Sequence, residues 1–236
     1  MGHIHGVDIV REGLVFSVDA ANLKSYPGSG TTLYDLKRLN NGTMSGPLSP
    51  NNSPQFNPNN MGCIDFDGVD DRITFNNFDI GTSDFSVSSW IKTTQTSFGY
   101  IIAQGGQGNS AAERGFGMAI NNGVLYGFIA TDSRIFVSNN SGTLVNDGKW
   151  HNVAGVWDRS DKLKWYINGV FEKEGDISSA SSYNISSDNN GLIGTYGNAS
   201  IGFFDGNIGP TTLYLKALSA AEVKQNYKAL KGRFIN

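Results

Sequence analysis

Residues 147–170, DGKWHNVAGVWDRSDKLKWYINGV, alternate along the chain with a period of two. Val153, Gly155 and Trp157 fall on one side against Asn152, Ala154 and Val156. Leu163, Trp165 and Ile167 likewise oppose Lys162, Lys164 and Tyr166. Alternate residues of a pleated strand point to opposite faces, so this pattern predicts two half-buried antiparallel strands. Asn168-Gly169 then predicts a two-residue turn of type I′ into a third strand, because both of its central positions need positive φ. Similar patterning predicts strands at 13–19, 85–92, 100–103, 116–120, 124–130, 135–138, 192–194 and 208–215. Segments 63–66 and 72–75 are expected to pair as a hairpin around 67–71 (DGVDD). Residues 25–60 are rich in Pro, Gly, Asn and Ser; so long a structureless loop is unusual in a compact domain, so short strands are expected near 32–36 and 42–44. One helix is predicted. Ser219-Ala-Ala-Glu222 is a capping box, Val223, Tyr227 and Leu230 share a face, and Gly232 is expected to close the helix.

So many short strands imply an all-β, two-sheet antiparallel sandwich with one short C-terminal helix. With no linker and no internal repeat, residues 13–236 read as one domain preceded by an arm, 1–12. Of 236 residues, 39% are hydrophobic, enough for a core, and only 17% are charged, below the average of about 25% for soluble domains. The net charge of −3, with no basic run longer than Lys37-Arg38, excludes a phosphate-tracking surface and hence a nucleic-acid partner. No apolar run approaches the length of a membrane span. The first residues lack the basic and apolar regions of a signal peptide. The single Cys63, within an apolar run, is expected to be a buried thiol.

Three motifs carry a family resemblance. DFSVSSWIK, then DGKWHNVAGVW…LKWYINGV, then GNIGPTTLYLKALSAAEV resemble the laminin-G-like, concanavalin A-like jelly roll shared by pentraxins and many carbohydrate-binding modules. The front half, GLVFSVDAANLKSYPGSGTTLYDLKRLNNGTMSGP followed by CIDFDGVDDRITF, and the ending NYKALKGRF are similar to a variant found in tailed-bacteriophage structural proteins. The resemblance implies a non-enzymatic virion protein that decorates the capsid or tail, made in the host cytoplasm without a signal peptide and oligomeric in the particle. Its partners would be other virion proteins and host surface polysaccharide, with no nucleic acid and no membrane. The alternative is a glycan-binding module of a tail or fibre adhesin; a glycan hydrolase or lyase ranks third.

Candidate sites follow. Related domains hold one structural Ca2+ at the sandwich rim, and Asp67, Asp70 and Asp71, with Asp65 nearby, supply hard oxygen ligands. The late strand of many relatives reads G-x-I-D; here Gly209 replaces that carboxylate. The competing reading is a turn in which Asp67-Gly68 makes the bend and Asp70 and Asp71 cap backbone N–H groups. No other cofactor is expected. The pentraxin-type ligand loops correspond to about 104–114 and 195–205. They offer Gln104, Gln107, Asn109, Glu113, Thr195, Tyr196 and Asn198, a set of amides, hydroxyls and one ring suited to a sugar. Glu172, Glu174 and Asp176 raise a glycosidase reading, since alternate strand residues share a face at about 6.5–7 Å. With a plain two-residue turn, however, Glu172 faces Trp165 and Glu174 faces Leu163, which opposes catalysis. His3, Ile4, His5, Val7 and Ile9 in the arm are the expected particle-attachment residues.

Overall fold

The computed structural model describes residues 7–46, 53–106, 114–131, 136–197 and 201–235. The strands are β1 (Leu14–Val18), β2 (Thr32–Leu33), β3 (Gly42–Ser45), β4 (Gln55–Asn57), β5 (Cys63–Asp67), β6 (Arg72–Phe75), β7 (Phe85–Lys92) and β8 (Gly99–Gln104). They continue as β9 (Gly115–Asn121), β10 (Val124–Ala130), β11 (Phe136–Leu144), β12 (Trp150–Trp157), β13 (Lys162–Ile167), β14 (Val170–Asp176), β15 (Gly191–Ile193) and β16 (Asp205–Tyr214), followed by α1 (Ala220–Phe234). Two sheets stack as a jelly-roll sandwich. The first runs β14-β13-β12-β7-β16-β5-β4, with β1 on the second half of β16; the second runs β11-β10-β9-β8-β15-β6-β3-β2.

Turn chemistry fixes the long hairpins. Asn168 and Gly169 both take positive φ (53° and 73°), as do Asn122 and Gly123 (51° and 78°), so β13-β14 and β9-β10 reverse through tight turns. The expected hairpin of 63–66 with 72–75 does not form. β5 pairs with β16 and β4 in the first sheet, whereas β6 pairs with β15 and β3 in the second. Residues 67–71 therefore carry the chain from one sheet to the other.

Between the sheets, Phe85 stacks on Trp157 (4.6 Å between centroids), meets Phe116 edge-on (5.0 Å), and Trp157 meets Trp165 (6.0 Å). Two glycines make room for these indoles. A Cβ on Gly155 would lie 2.6 Å from the Trp157 ring, and one on Gly127, from the facing sheet, 2.8 Å from Trp165.

The outer face of the first sheet is covered by α1. The capping box forms as expected, with Ser219 and Glu222 exchanging side-chain-to-backbone bonds. Val223 joins Ala154, Val156, Tyr166 and Tyr214 in one buried cluster, while Phe234 lies against Trp90 (4.4 Å) and Trp150 (4.6 Å). Gly232 does not close the helix, which runs on to Phe234. Burial of the Phe234 ring, and the Arg233 guanidinium bonded to both carboxylate oxygens of Asp19 (2.8 and 3.1 Å), hold the last turn in place. Residues 7–12 lie along the same helix: the Val10 N–H donates to Asn226 Oδ1 (2.8 Å) and Tyr214 Oη to the Val10 carbonyl (3.1 Å).

Gly232 sits inside a helical turn, and nothing lies within 4 Å of where a Cβ would be. Gly232→Ala is therefore expected to raise stability by about 0.5–1 kcal/mol in urea denaturation; a loss of stability would mean that the helix ends at Gly232.

Candidate functional site

Among the described residues, no helix covers the outer face of the second sheet. Paired residues share a face, and register runs Thr74–Leu192–Ala103–Gly117–Phe128 across five strands, with Tyr100–Ala119–Tyr126 beside it. Phe116, Met118 and Ile120 point into the core, so Gly117 and Ala119 face outward. These small side chains make a floor on which aromatic rings lie. Tyr100 packs on Tyr196 (5.0 Å), Phe128 meets Tyr196 edge-on (5.3 Å), and Phe98 meets Tyr100 (5.0 Å) and Tyr126 (5.2 Å). Tyr100, Phe128 and Tyr196 are buried; Phe98 and Tyr126 are half-buried and present ring surface to solvent. Burial pushes the Tyr100 phenol well above its ordinary range, with the neighbouring Tyr196 and Tyr126 adding to the shift, so it is neutral.

Across Leu192 from these rings lies an open polar depression lined by Arg72, Thr74, Gly105, Asp188 and Asn190. Arg72 donates Nη1 to the Asp70 carbonyl (3.2 Å) and makes no ion pair among the described residues. One face thus offers ring surface, a guanidinium, a hydroxyl and amides within a few strands.

Of the loop residues expected to meet a ligand, Gln104 is turned inward. Its Oε1 accepts from the Phe78 N–H (2.5 Å) and its Nε2 donates to the Ser187 carbonyl (3.1 Å), so it pins two loops. Thr195 is fully buried and donates to the Ile201 carbonyl (2.7 Å). Tyr196 joins the ring cluster and donates its hydroxyl to the Gly106 carbonyl (2.5 Å). Gln107, Asn109, Glu113 and Asn198 lie outside the described residues, as do His3, Ile4 and His5; Val7 is exposed and Ile9 half-buried. Sequence reading missed Phe98, Tyr126 and Arg72. In VLYGFIA every residue but Gly127 is apolar or aromatic, so the pattern does not say which rings face out.

The carboxylates of Asp67, Asp70 and Asp71 gather where the chain crosses between sheets, with one oxygen from each within 4.8 Å of the others. Asp67 is exposed and makes the turn itself, with Oδ1 accepting from the Val69 N–H (2.9 Å) and the Asp70 N–H (3.4 Å). Asp71 Oδ2 accepts from the Asp67 N–H (3.1 Å), whereas its buried Oδ1 has no hydrogen-bond partner among the described residues. Burial, then the charges of Asp67 and Asp70, push the Asp71 carboxyl up to about 6. Gly46 passes so close that a Cβ there would lie 2.5 Å from Asp71 Oδ1. Asp205 stands opposite Asp67 on β16, so a carboxylate does reach this rim from the late strand, four positions before Gly209. A cluster of hard oxygens with one buried oxygen unpartnered fits a Ca2+ site.

A family model described as concanavalin A-like lectin/glucanases superfamily (Laminin_G_3) matches residues 67–224. The chain belongs to this superfamily. Among solved structures it is similar to the binding domain of Paraclostridial Mosquitocidal Protein 1 (15% identity, TM-score 0.68, 91% of this chain and 52% of that one). It is also similar to the botulinum neurotoxin serotype D binding domain (19%, TM-score 0.65, 91% and 50%) and to the serotype D ligand binding domain in complex with N-acetylneuraminic acid (19%, TM-score 0.64, 91% and 50%). The chain spans about half the length of these structures, and at such identity the likeness is one of fold. No curated relative matches the sequence.

Because the superfamily joins lectins and glucanases, the acids of β14 matter. The expected register is wrong. A bulge after Phe171 puts Lys173 opposite Trp165, Glu174 opposite Lys164 and Gly175 opposite Leu163, leaving Glu172 as the extra residue. Glu174 is held by Lys162, Glu172 accepts from Thr143 Oγ1, and Asp176 accepts from the Ser178 N–H (2.8 Å). Glu174 thus neutralises Lys162, while Glu172 and Asp176 are engaged by a hydroxyl and a backbone N–H. Cys63 is buried, and its thiol is pushed up to about 12, chiefly by that burial, so it is unreactive. His151 is bonded locally, through Nε2 to Asp147 (2.9 Å) and Nδ1 to Asn168 (3.2 Å).

The raised pKa of Asp71 fixes a sign. The folded chain binds this proton more tightly than the unfolded chain, so the contribution to stability is present at low pH and is lost as pH rises through about 6. With EDTA present, Asp71→Asn is expected to raise the melting temperature at pH 7.5 by roughly 2–4 °C, as for about 1 kcal/mol at this chain size. No gain would be seen at pH 4; an equal gain at both pH values would refute the assignment.

Proposed function

We propose that this chain is a non-enzymatic glycan-binding module and that its binding face is the outer surface of the second sheet. The observation that carries the reading is the juxtaposition there of the half-buried rings of Phe98 and Tyr126 with the polar cavity at Arg72, Thr74 and Asn190. Sugars present C–H faces that stack on aromatic rings and hydroxyls that bond amides and guanidinium groups. A related fold whose description includes bound N-acetylneuraminic acid supports the same class of ligand. The acid cluster at 67–71 would hold one structural Ca2+, stiffening the crossover that leads into Arg72. Repeating the Asp71→Asn melting series with added Ca2+ tests this, because only the wild type should then gain stability. A glycan array followed by calorimetry tests the binding face: Tyr126→Ala should weaken the best ligand about tenfold while the protein stays folded, as circular dichroism would show. Absence of any ligand on the array, or unaltered affinity in the variant, would defeat the proposal.

We propose further that the module works on a phage virion, as the motifs at 13–47 and 63–75 suggest. Attachment would use His3, Ile4, His5, Val7 and Ile9, since Val7 is exposed while Val10 is spent on α1. Deleting residues 1–7 should leave the melting temperature unchanged and abolish incorporation into particles; full occupancy would exclude that role.

A further inference from the structure

A second groove crosses the outer face of the first sheet, beside the C-terminal end of α1 and away from the aromatic face. Two cavities meet there. One is lined by Asn57, Asn59, Lys92, Trp150 and Asn207; the other by Lys92, Lys149, Trp150, His151, Asn168 and Phe234. Lys92 and Trp150 belong to both, so they mark the middle of one continuous groove.

Register explains the arrangement. Asp65, Asn207, Lys92 and Trp150 occupy paired positions on β5, β16, β7 and β12, and so stand in one row on one face. Asp65 accepts from Asn57 Nδ2 (2.9 Å) and from Asn207 Nδ2, which fixes both amides at one end of the row. Asn207 Oδ1 then accepts no hydrogen bond from the described residues. Lys92 is exposed, and its ammonium makes neither a hydrogen bond nor an ion pair with them. An unused acceptor and an unused ammonium therefore stand on adjacent strands. The Asn59 side chain is exposed beside them, and apolar surface from Trp150 and Phe234 lies on the other side.

We propose that this groove binds a carboxylated oligosaccharide, with the sugar carboxylate on Lys92, hydroxyls on Asn207 and Asn59, and a ring face on the Trp150–Phe234 edge. The charge pattern sets the ligand's charge. Lys149 and His151 are both occupied by Asp147, whereas Lys92 feels the charge of Asp65 from two strands away without forming an ion pair, so its ammonium is the one in the groove with no carboxylate in contact among the described residues. One carboxylate per binding unit suits it, whereas a densely sulfated chain would meet Asp65 and Asp147.

The test compares tetragalacturonate with its methyl ester, which has the same ring system without the charge. The Trp150 indole N–H, bonded to Asn60 Oδ1 (3.0 Å), is the reporter in 15N-edited NMR. Trp157 and Trp165 lie in the core between the sheets and serve as internal controls. Tetragalacturonate should shift the Trp150 signal saturably. Methyl esterification or Lys92→Gln should each weaken binding about tenfold, as for loss of one charge-assisted hydrogen bond. Asn207→Ala should weaken it less. Tyr126→Ala, on the other sheet, should leave this titration unchanged, which separates the present site from the aromatic face. No Trp150 shift at millimolar tetragalacturonate, equal affinity for the methyl ester, or unaltered affinity in Lys92→Gln would each overturn the proposal.

Discussion

The wedging of Phe234 between Trp90 and Trp150 decides which surfaces this sandwich has to offer. A two-sheet sandwich has two outer faces, and each carries the side chains that alternate with the core. Covering one with a helix lets that face be as apolar as the interior. Trp90, Cys63, Val156 and Tyr214 face outward from the first sheet and are nonetheless buried, because α1 and residues 7–12 lie on them. The second sheet has no helix on it among the described residues; Tyr100, Ala103, Ala119, Phe128 and Tyr196 bury one another in a smaller cluster, and Phe98 and Tyr126 stay half-buried at its margin. Those two rings are therefore the side chains that call for a functional account, whereas Trp90 is accounted for by packing.

The same helix leaves the first sheet partly open. It ends at Phe234, and beyond that ring the outward row of β5, β16, β7 and β12 turns polar, with Asp65, Asn207 and Lys92. Arg233 fixes the boundary by gripping Asp19 and the Gly62 carbonyl, which ties the helix end to the loops before β2 and β5. An apolar wall and a polar floor then meet along one line. That is the geometry of a groove able to take an amphipathic ligand such as a sugar.

Strands were legible where period-two patterning was long and turn chemistry strong. The β12-β13-β14 meander, with Asn168-Gly169 in the left-handed region, follows from residues alone. Failures came where two arrangements share one local signal. DGVDD between two short strands reads equally as a hairpin turn or as a crossover, and only the pairing partners β16 and β15, far along the chain, decide. β4 escaped notice because three residues, QFN, carry no periodicity. Gly232 resembles a helix stop, but the burial of Phe234 two residues later outweighs the modest cost of a helical glycine. The bulge at Glu172 is invisible to a pattern that assumes one-to-one pairing, and it exchanges which acid faces which neighbour.

For the candidate sites, sequence found the residue types but not their company. Gln104 and Thr195 have sugar-binding chemistry and sit on the right loops, yet the fold spends both on its own backbone. A polar side chain in a loop-rich jelly roll has two uses, to recognise a ligand or to satisfy buried carbonyls and N–H groups that the sheets leave over. Sequence cannot separate them, because both favour Asn, Gln, Ser and Thr. What separates them is the remaining hydrogen-bonding capacity. By that criterion Lys92 and Asn207 Oδ1 on one face, and the Arg72 guanidinium with the open faces of Phe98 and Tyr126 on the other, retain capacity that the fold does not use. The two faces lie on opposite sheets and differ in what they leave unused, one aromatic and one centred on a lysine, so a substitution on one can be read independently of the other.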